Sequence, residues 1–196
     1  MMKKHTVSIV LLLSLILTFS QARATVTNIT DGESYGSYCV QSGTLNVLGG
    51  RINCSLNAGG TSTVNVLGGM IQNMTVRDQA MASVQAGYIN TLYANPNGQI
   101  NLSGGYIHQL VIGSGDQQGP SVNIYGRNLN YEHLGPGPIT ARITGSWENG
   151  EAFCIRVQHN GEGGPYRYFH MSENPEPATV LLLAFGGLML RKRKTI

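Results

Sequence analysis

Thr44-Leu-Asn-Val-Leu-Gly-Gly-Arg-Ile52 returns as Thr63-Val-Asn-Val-Leu-Gly-Gly-Met-Ile71, then as Met81-Ala-Ser-Val-Gln-Ala-Gly-Tyr-Ile89 and as Gln99-Ile-Asn-Leu-Ser-Gly-Gly-Tyr-Ile107. The second glycines of these copies, Gly50, Gly69, Gly87 and Gly105, are spaced 19, 18 and 18 residues apart. A later apolar position, Leu56, Met74, Leu92 and Leu110, recurs every 18 residues. A fifth start, Ser121-Val-Asn-Ile-Tyr-Gly126, follows a longer stretch rich in Gly and Gln. Independent columns that keep one period mark a structural repeat.

Within each copy the pattern alternates, which is the strand period of two. Leu45/Val47, Val64/Val66, Ala82/Val84, Ile100/Leu102 and Val122/Ile124 put two apolar side chains on one face, and Asn46, Asn65, Ser83, Asn101 and Asn123 face the other way. A second alternating segment follows each glycine pair: Leu56/Ala58, Met74/Val76, Leu92/Ala94 and Leu110/Ile112. The glycines let the backbone turn through positive φ where a Cβ would clash. Coils of this kind stack about 4.8 Å apart, each hydrogen-bonded to the next. The reading is an all-β chain, a single-chain parallel β-helix (β-solenoid) with coils of about 18 residues. Five or six coils would make a rod roughly 25–30 Å long. An antiparallel sandwich is the runner-up, but it does not demand a constant period.

The expected organisation follows from the repeat. Residues 25–43 form an N-terminal capping coil and 44–126 the solenoid repeats. Residues 127–172 form a C-terminal cap with a β-hairpin, because Thr140 to Trp147 and Ala152 to Val157 read as strands around Asn149-Gly150. Such a cap covers a strand edge that would otherwise pair with another molecule.

The two ends have a different composition. At residues 1–24, Lys3 and Lys4 precede an apolar run from Val7 to Phe19, and Ala22-Arg23-Ala24 has the A-x-A form of a signal-peptide cleavage site. A helical signal peptide, export through the Sec translocon and cleavage after Ala24 are expected. At residues 173–196, Pro175-Glu176-Pro177 is followed by the 13-residue apolar run 178–190 and then by Arg191-Lys192-Arg193-Lys194. As a helix that run would reach about 20 Å, short for a bilayer core of roughly 30 Å. The cations after it would stop it on the cytoplasmic side.

Removing these ends changes the charge. Residues 25–174 hold six cations, all Arg, against nine acids, so the net charge there is about −3 and not the +3 of the whole chain. With no basic stripe to neutralise phosphates, nucleic acid is not an expected partner. Cys39, Cys54 and Cys154 cannot all pair, and nearness in sequence favours Cys39 with Cys54. No cysteine or histidine spacing suits a metal.

The order proline motif, short apolar helix and basic tail, over Asn174 to Lys194, resembles the PEP-CTERM sorting signal. The x-apolar-Asn-apolar-x-Gly-Gly-x-Ile repeats, the Asn123-to-Gly126 segment and the Ile143-to-Gly150 hairpin resemble planctomycete-like PEP-CTERM sorting domain-containing proteins with Gly-rich solenoid repeats. The resemblance implies that a membrane-embedded exosortase recognises Pro175, Glu176 and Pro177. It also implies transient residence in the inner membrane through residues 178–190, and delivery to the cell surface or extracellular matrix. It carries over no catalytic activity and no cofactor.

An enzyme acting on polysaccharide would need paired carboxylates or an acid cluster with a base. Asp31, Asp78 and Asp116 lie in different turns, and residues 25–174 have no lysine. Glu132-His133, Glu148, Glu151, His159 and His170 match no catalytic or metal-ligand spacing, so no catalytic, metal or cofactor site is assigned. Tyr88 and Tyr106 share one column and are the candidates for carbohydrate contact, although an aromatic ladder that stabilises the sheet by about 0.2–1 kcal/mol per pair is the favoured reading of that column; Tyr93 and Tyr125 are further aromatics of the repeat region. The expected function is that of an exported, non-enzymatic surface or matrix protein, structural or adhesive in an exopolysaccharide layer. A polysaccharide-binding or polysaccharide-degrading β-helix is the alternative.

Overall fold

The computed structural model describes residues 25–113, 119–135, 139–159 and 165–173. The signal peptide and cleavage site at Ala22 and Ala24, Asp116, and the segment with Pro175, Glu176 and Pro177 lie outside the described residues. What is described is all-β, a solenoid-like stack of about five turns. Among the described residues there is no α-helix, and no helix is long and apolar enough to cross a membrane.

Two walls of parallel strands face each other. The first is built from β1 (Val26–Ile29), β3 (Thr44–Val47), the leading halves of β5 (Thr63–Val76) and β6 (Met81–Ala94), β7 (Gln99–Leu102) and the start of β9 (Ser121–His133). The second comprises β2 (Ser34–Val40), β4 (Arg51–Ala58), the trailing halves of β5 and β6, and β8 (Tyr106–Ile112). Val47, Val66, Val84, Leu102 and Ile124 pile in register and are at most 1% exposed, as do Leu56, Met74, Leu92 and Leu110 opposite them at 0%. Each such aliphatic side chain contributes roughly 1.5–3 kcal/mol by leaving water.

The outward Asn column also hydrogen-bonds coil to coil. Asn46 Nδ2 donates to Asn28 Oδ1 and Asn65 Nδ2 to Asn46 Oδ1, both at 2.9 Å, and Asn123 Nδ2 donates to Asn101 Oδ1 at 2.8 Å. The single 19-residue spacing has a local cause. Between Ile52 and Ser55 the two residues Asn53-Cys54 stand opposite Gln72 alone, a β-bulge that takes up the extra residue before the next apolar column.

Residues 25–43 form a first coil in which Tyr35 and Tyr38 occupy the columns of Ile52 and Leu56. Their rings meet edge to face at 5.5 Å and lie over that part of the core. In the turn before β2, the Glu33 carboxylate accepts hydrogen bonds from the Thr30 backbone N–H and hydroxyl, which holds it below the usual carboxylate range.

The far end is built differently. After Gly126, β9 continues and pairs antiparallel with β10 (Ala141–Ser146), which pairs antiparallel with β11 (Ala152–His159). β11 then lies parallel on β8, so β6, β7, β9, β10, β11 and β8 form a closed circuit of hydrogen-bonded neighbours. The hairpin expected around Asn149-Gly150 is present, with its second strand two residues longer than read. The Arg127–His133 half of β9, unassigned from sequence, half-buries Leu129 and Tyr131. A 3-10 turn, Pro165–Tyr168, leads into β12 (Phe169–Glu173), which adds in parallel to the start of β9.

Candidate functional site

Tyr88 and Tyr106 are register mates on β6 and β8, and their rings stack at 5.3 Å with planes 7° apart. Each ring therefore covers one face of the other. The Tyr88 hydroxyl lies 3.4 Å from Asn90 Oδ1, which steadies the inner ring. Met70 precedes Tyr88 in the column, whereas Tyr106 is 53% exposed at its end. The pair thus presents one outer ring to solvent, with Asn90 and His108 half-buried beside it, and not a row of open aromatic faces. An exposed tyrosine ring with amide and imidazole neighbours can stack on the C–H face of one sugar ring. Tyr93 and Tyr125 are half-buried on other columns and do not join this pair.

Asp31 and Asp78 each reach a backbone N–H of the adjoining coil. Asp31 Oδ1 lies 3.4 Å from the Gly50 N–H, and Asp78, in the left-handed region at φ 61°, lies 3.4 Å from the Gly60 N–H. Glu132 is paired with Arg142 across β9 and β10. Glu148 and Glu151 flank the hairpin turn, where Glu151 N–H donates to Asn149 Oδ1 at 3.0 Å. His159 ends β11 against the Tyr168 ring, 5.7 Å away, while His170 is exposed on β12. The described residues bring none of these acids and histidines together as a group of three or more with metal-binding geometry.

The favoured Cys39–Cys54 bond is absent. All three cysteines are free and exposed. Cys39 is paired in register with Asn57, and Cys54 sits in the bulge three residues away, so the two thiols belong to different positions along neighbouring strands.

Sequence reasoning missed the role of Trp147. Its side chain is 1% exposed, stacks on Phe153 at 3.9 Å, and donates from Nε1 to the Gly105 carbonyl at 3.0 Å. In earlier coils the matching carbonyl accepts from the next coil's backbone, as Gly50 O does from Met70 N–H at 3.0 Å. The indole stands in for the missing coil. The signal was available in principle, since a lone tryptophan beside a hairpin turn needs both a cavity and an acceptor.

Comparison with protein-family models, with curated proteins and with solved structures finds no match to this chain. The functional reading therefore rests on the sequence and the geometry.

Tyr106→Ala removes the exposed ring while leaving Tyr88 and its Asn90 contact. The expected stability loss is small, about 0.5–1.5 kcal/mol for the lost ring pair, measurable by thermal melting. Loss of binding on a glycan array would then mark Tyr106 as a sugar platform; unchanged array binding would leave it a sheet-stabilising ring.

Proposed function

We propose that this chain is an exported, non-enzymatic protein of the cell surface or extracellular matrix, acting as a stiff rod in an exopolysaccharide layer. The observation that carries the reading is the in-register stack: its outward groups form ladders along the rod, and the carboxylates of Asp31 and Asp78 are turned onto backbone N–H groups of the adjoining coils. A hydrolase or lyase requires acids converging on one substrate bond, whereas a ladder repeats one weak contact along a polymer.

Export and sorting are supported by sequence features: the A-x-A site at Ala22 and Ala24, and Pro175-Glu176-Pro177 before residues 178–190 and the basic tail. In this reading the Sec translocon exports the chain, and an exosortase acts at the proline motif and releases the body to the surface. Intact-mass analysis of surface protein from strains with and without the exosortase tests it. The expected result is loss of the C-terminal tail only where the enzyme is present. Equal mass and equal location in both strains would overturn the sorting step.

A second reading, carbohydrate binding without catalysis, is favoured by the exposed Tyr106 ring stacked on Tyr88.

A further inference from the structure

The outer surface of the first wall has an unusual composition. The six successive strands of this wall, each with the residue that follows, place three side chains outward along it: Val26, Asn28, Thr30; Thr44, Asn46, Leu48; Thr63, Asn65, Leu67; Met81, Ser83, Gln85; Gln99, Asn101, Ser103; and Ser121, Asn123, Tyr125. None of these eighteen is Asp, Glu, Lys or Arg. Residues 25–174 hold fifteen charged residues, six Arg and nine acids, and none of them falls on this lattice. Apolar side chains stand open on it as well: Val26 is 61% exposed, Leu48 45%, Leu67 41% and Met81 40%. Beyond the lattice, at its far end, β12 adds His170 and Ser172 in the same columns.

We infer that this wall is a binding face for a neutral, extended polysaccharide lying parallel to the rod axis over the Asn ladder. The inference deepens the exopolysaccharide reading above and rests on it for the class of polymer.

Three features favour that occupant. The first is hydrogen-bonding capacity. Asn46 uses one N–H and one oxygen lone pair on its neighbours, Asn28 and Asn101 accept one bond each, Asn65 and Asn123 donate one each, and a primary amide has two N–H groups and two lone pairs. Every coil with an Asn in this column thus keeps at least one donor and one acceptor for a sugar hydroxyl, and Ser83 supplies a hydroxyl in the remaining one. The second is the apolar border. Leu48 and Leu67 run along one side of the Asn column, and Val26 and Met81 along the other, where the C–H faces of pyranose rings can rest. The third is pitch. Strands repeat about every 4.8 Å, and an extended polysaccharide advances by about one such step per sugar, so successive residues meet the same donor and acceptor set. A polyanion or polycation would lose its hydration on this wall with no counter-charge in return. The surface is distinct from the Tyr106 ring, which projects from the start of β8 in the second wall.

Affinity electrophoresis of the purified full-length chain tests the inference, using native gels that contain hydroxyethyl cellulose, mixed-linkage β-glucan or galactomannan. The account expects retardation by at least one of these neutral polymers, weakened about tenfold or more by the double substitution Leu48→Gln with Leu67→Gln and by Thr63→Arg. Both alter exposed or half-buried outward positions, and circular dichroism checks that each keeps its β-signal. Asn65→Asp, which leaves every apolar contact in place, is the second variant should either lose its fold. Arg156→Gln, exposed on β11 and outside the eighteen lattice positions, is expected to bind like the wild type.

Loss of retardation in Tyr106→Ala with the wall variants unaffected would overturn the wall while leaving the carbohydrate reading intact. Retardation by none of the polymers would overturn it too. So would sedimentation showing that Thr63→Arg instead abolishes a self-associated dimer, because the occupant would then be a second copy. Sorting plays no part in this assay, so failure of the export reading alone would leave its result unchanged.

Discussion

Trp147→Ala is expected to lower stability by about 3–5 kcal/mol, the range for emptying a buried large aromatic site. For a chain of this size that corresponds to a fall in Tm of roughly 6–20 °C. The indole is enclosed, lies flat on Phe153, and caps the Gly105 carbonyl where the coil series ends. Its removal leaves both a void and a partly covered carbonyl without its donor. Trp147→Phe separates the two, because it keeps most of the packing and loses the hydrogen bond, with an expected cost of about 1–3 kcal/mol. Thermal and urea melts of both variants provide the comparison. A Trp147→Ala protein within 1 kcal/mol of wild type would mean that the hairpin is a passive appendage and that the coils close without it.

Gly69→Val is the second large effect. Gly69 has φ +76°, and a Cβ there would stand 2.4 Å from the Gly49 carbonyl oxygen and 2.8 Å from that of Gly50. Both obstacles are backbone in the coil below, so no side-chain rotation can relieve them. The left-handed conformation costs about 1–2 kcal/mol for a residue with a Cβ, and overpacking adds about 1–3 kcal/mol. The expected total is about 2–5 kcal/mol, read from the same melts. Gly32→Ala is the control: its φ is +86°, but nothing lies within 4 Å of the added Cβ, so only the conformational cost applies. Equal losses for the two variants would show that coil spacing at the Gly-Gly corner is looser than the stack requires.

These two sites also show what the sequence did and did not reveal. The Gly-Gly corners were legible because the glycines recur at the coil period, and recurrence exposes any residue type that a stacked position demands. The aliphatic columns were legible for the same reason: Val47, Val66, Val84 and Leu102 could be aligned before any coordinate was known. The C-terminal region has no repeat, so its pairing could not be deduced from period. Local turn chemistry at Asn149-Gly150 located the hairpin, but the return of β11 onto β8 joins residues that only tertiary packing brings together. Stacking of Tyr88 on Tyr106 followed from the shared column, while the coverage of one ring face by the other depends on side-chain rotamers. The uncharged wall was hidden for a different reason. It is a property of three neighbouring columns taken together, and the apolar positions drew the eye inward.

Spin-label distances along one outward column test the stacked coil most directly. With one label at Val26 and a second at Met81, Gln99 or Ser121, the pairs are separated by three, four and five strand steps in the register. The account predicts backbone separations of about 14, 19 and 24 Å, an even increment of about 4.8 Å per coil. Separations that fail to grow in equal steps, or that follow the number of intervening residues instead of the number of coils, would contradict it.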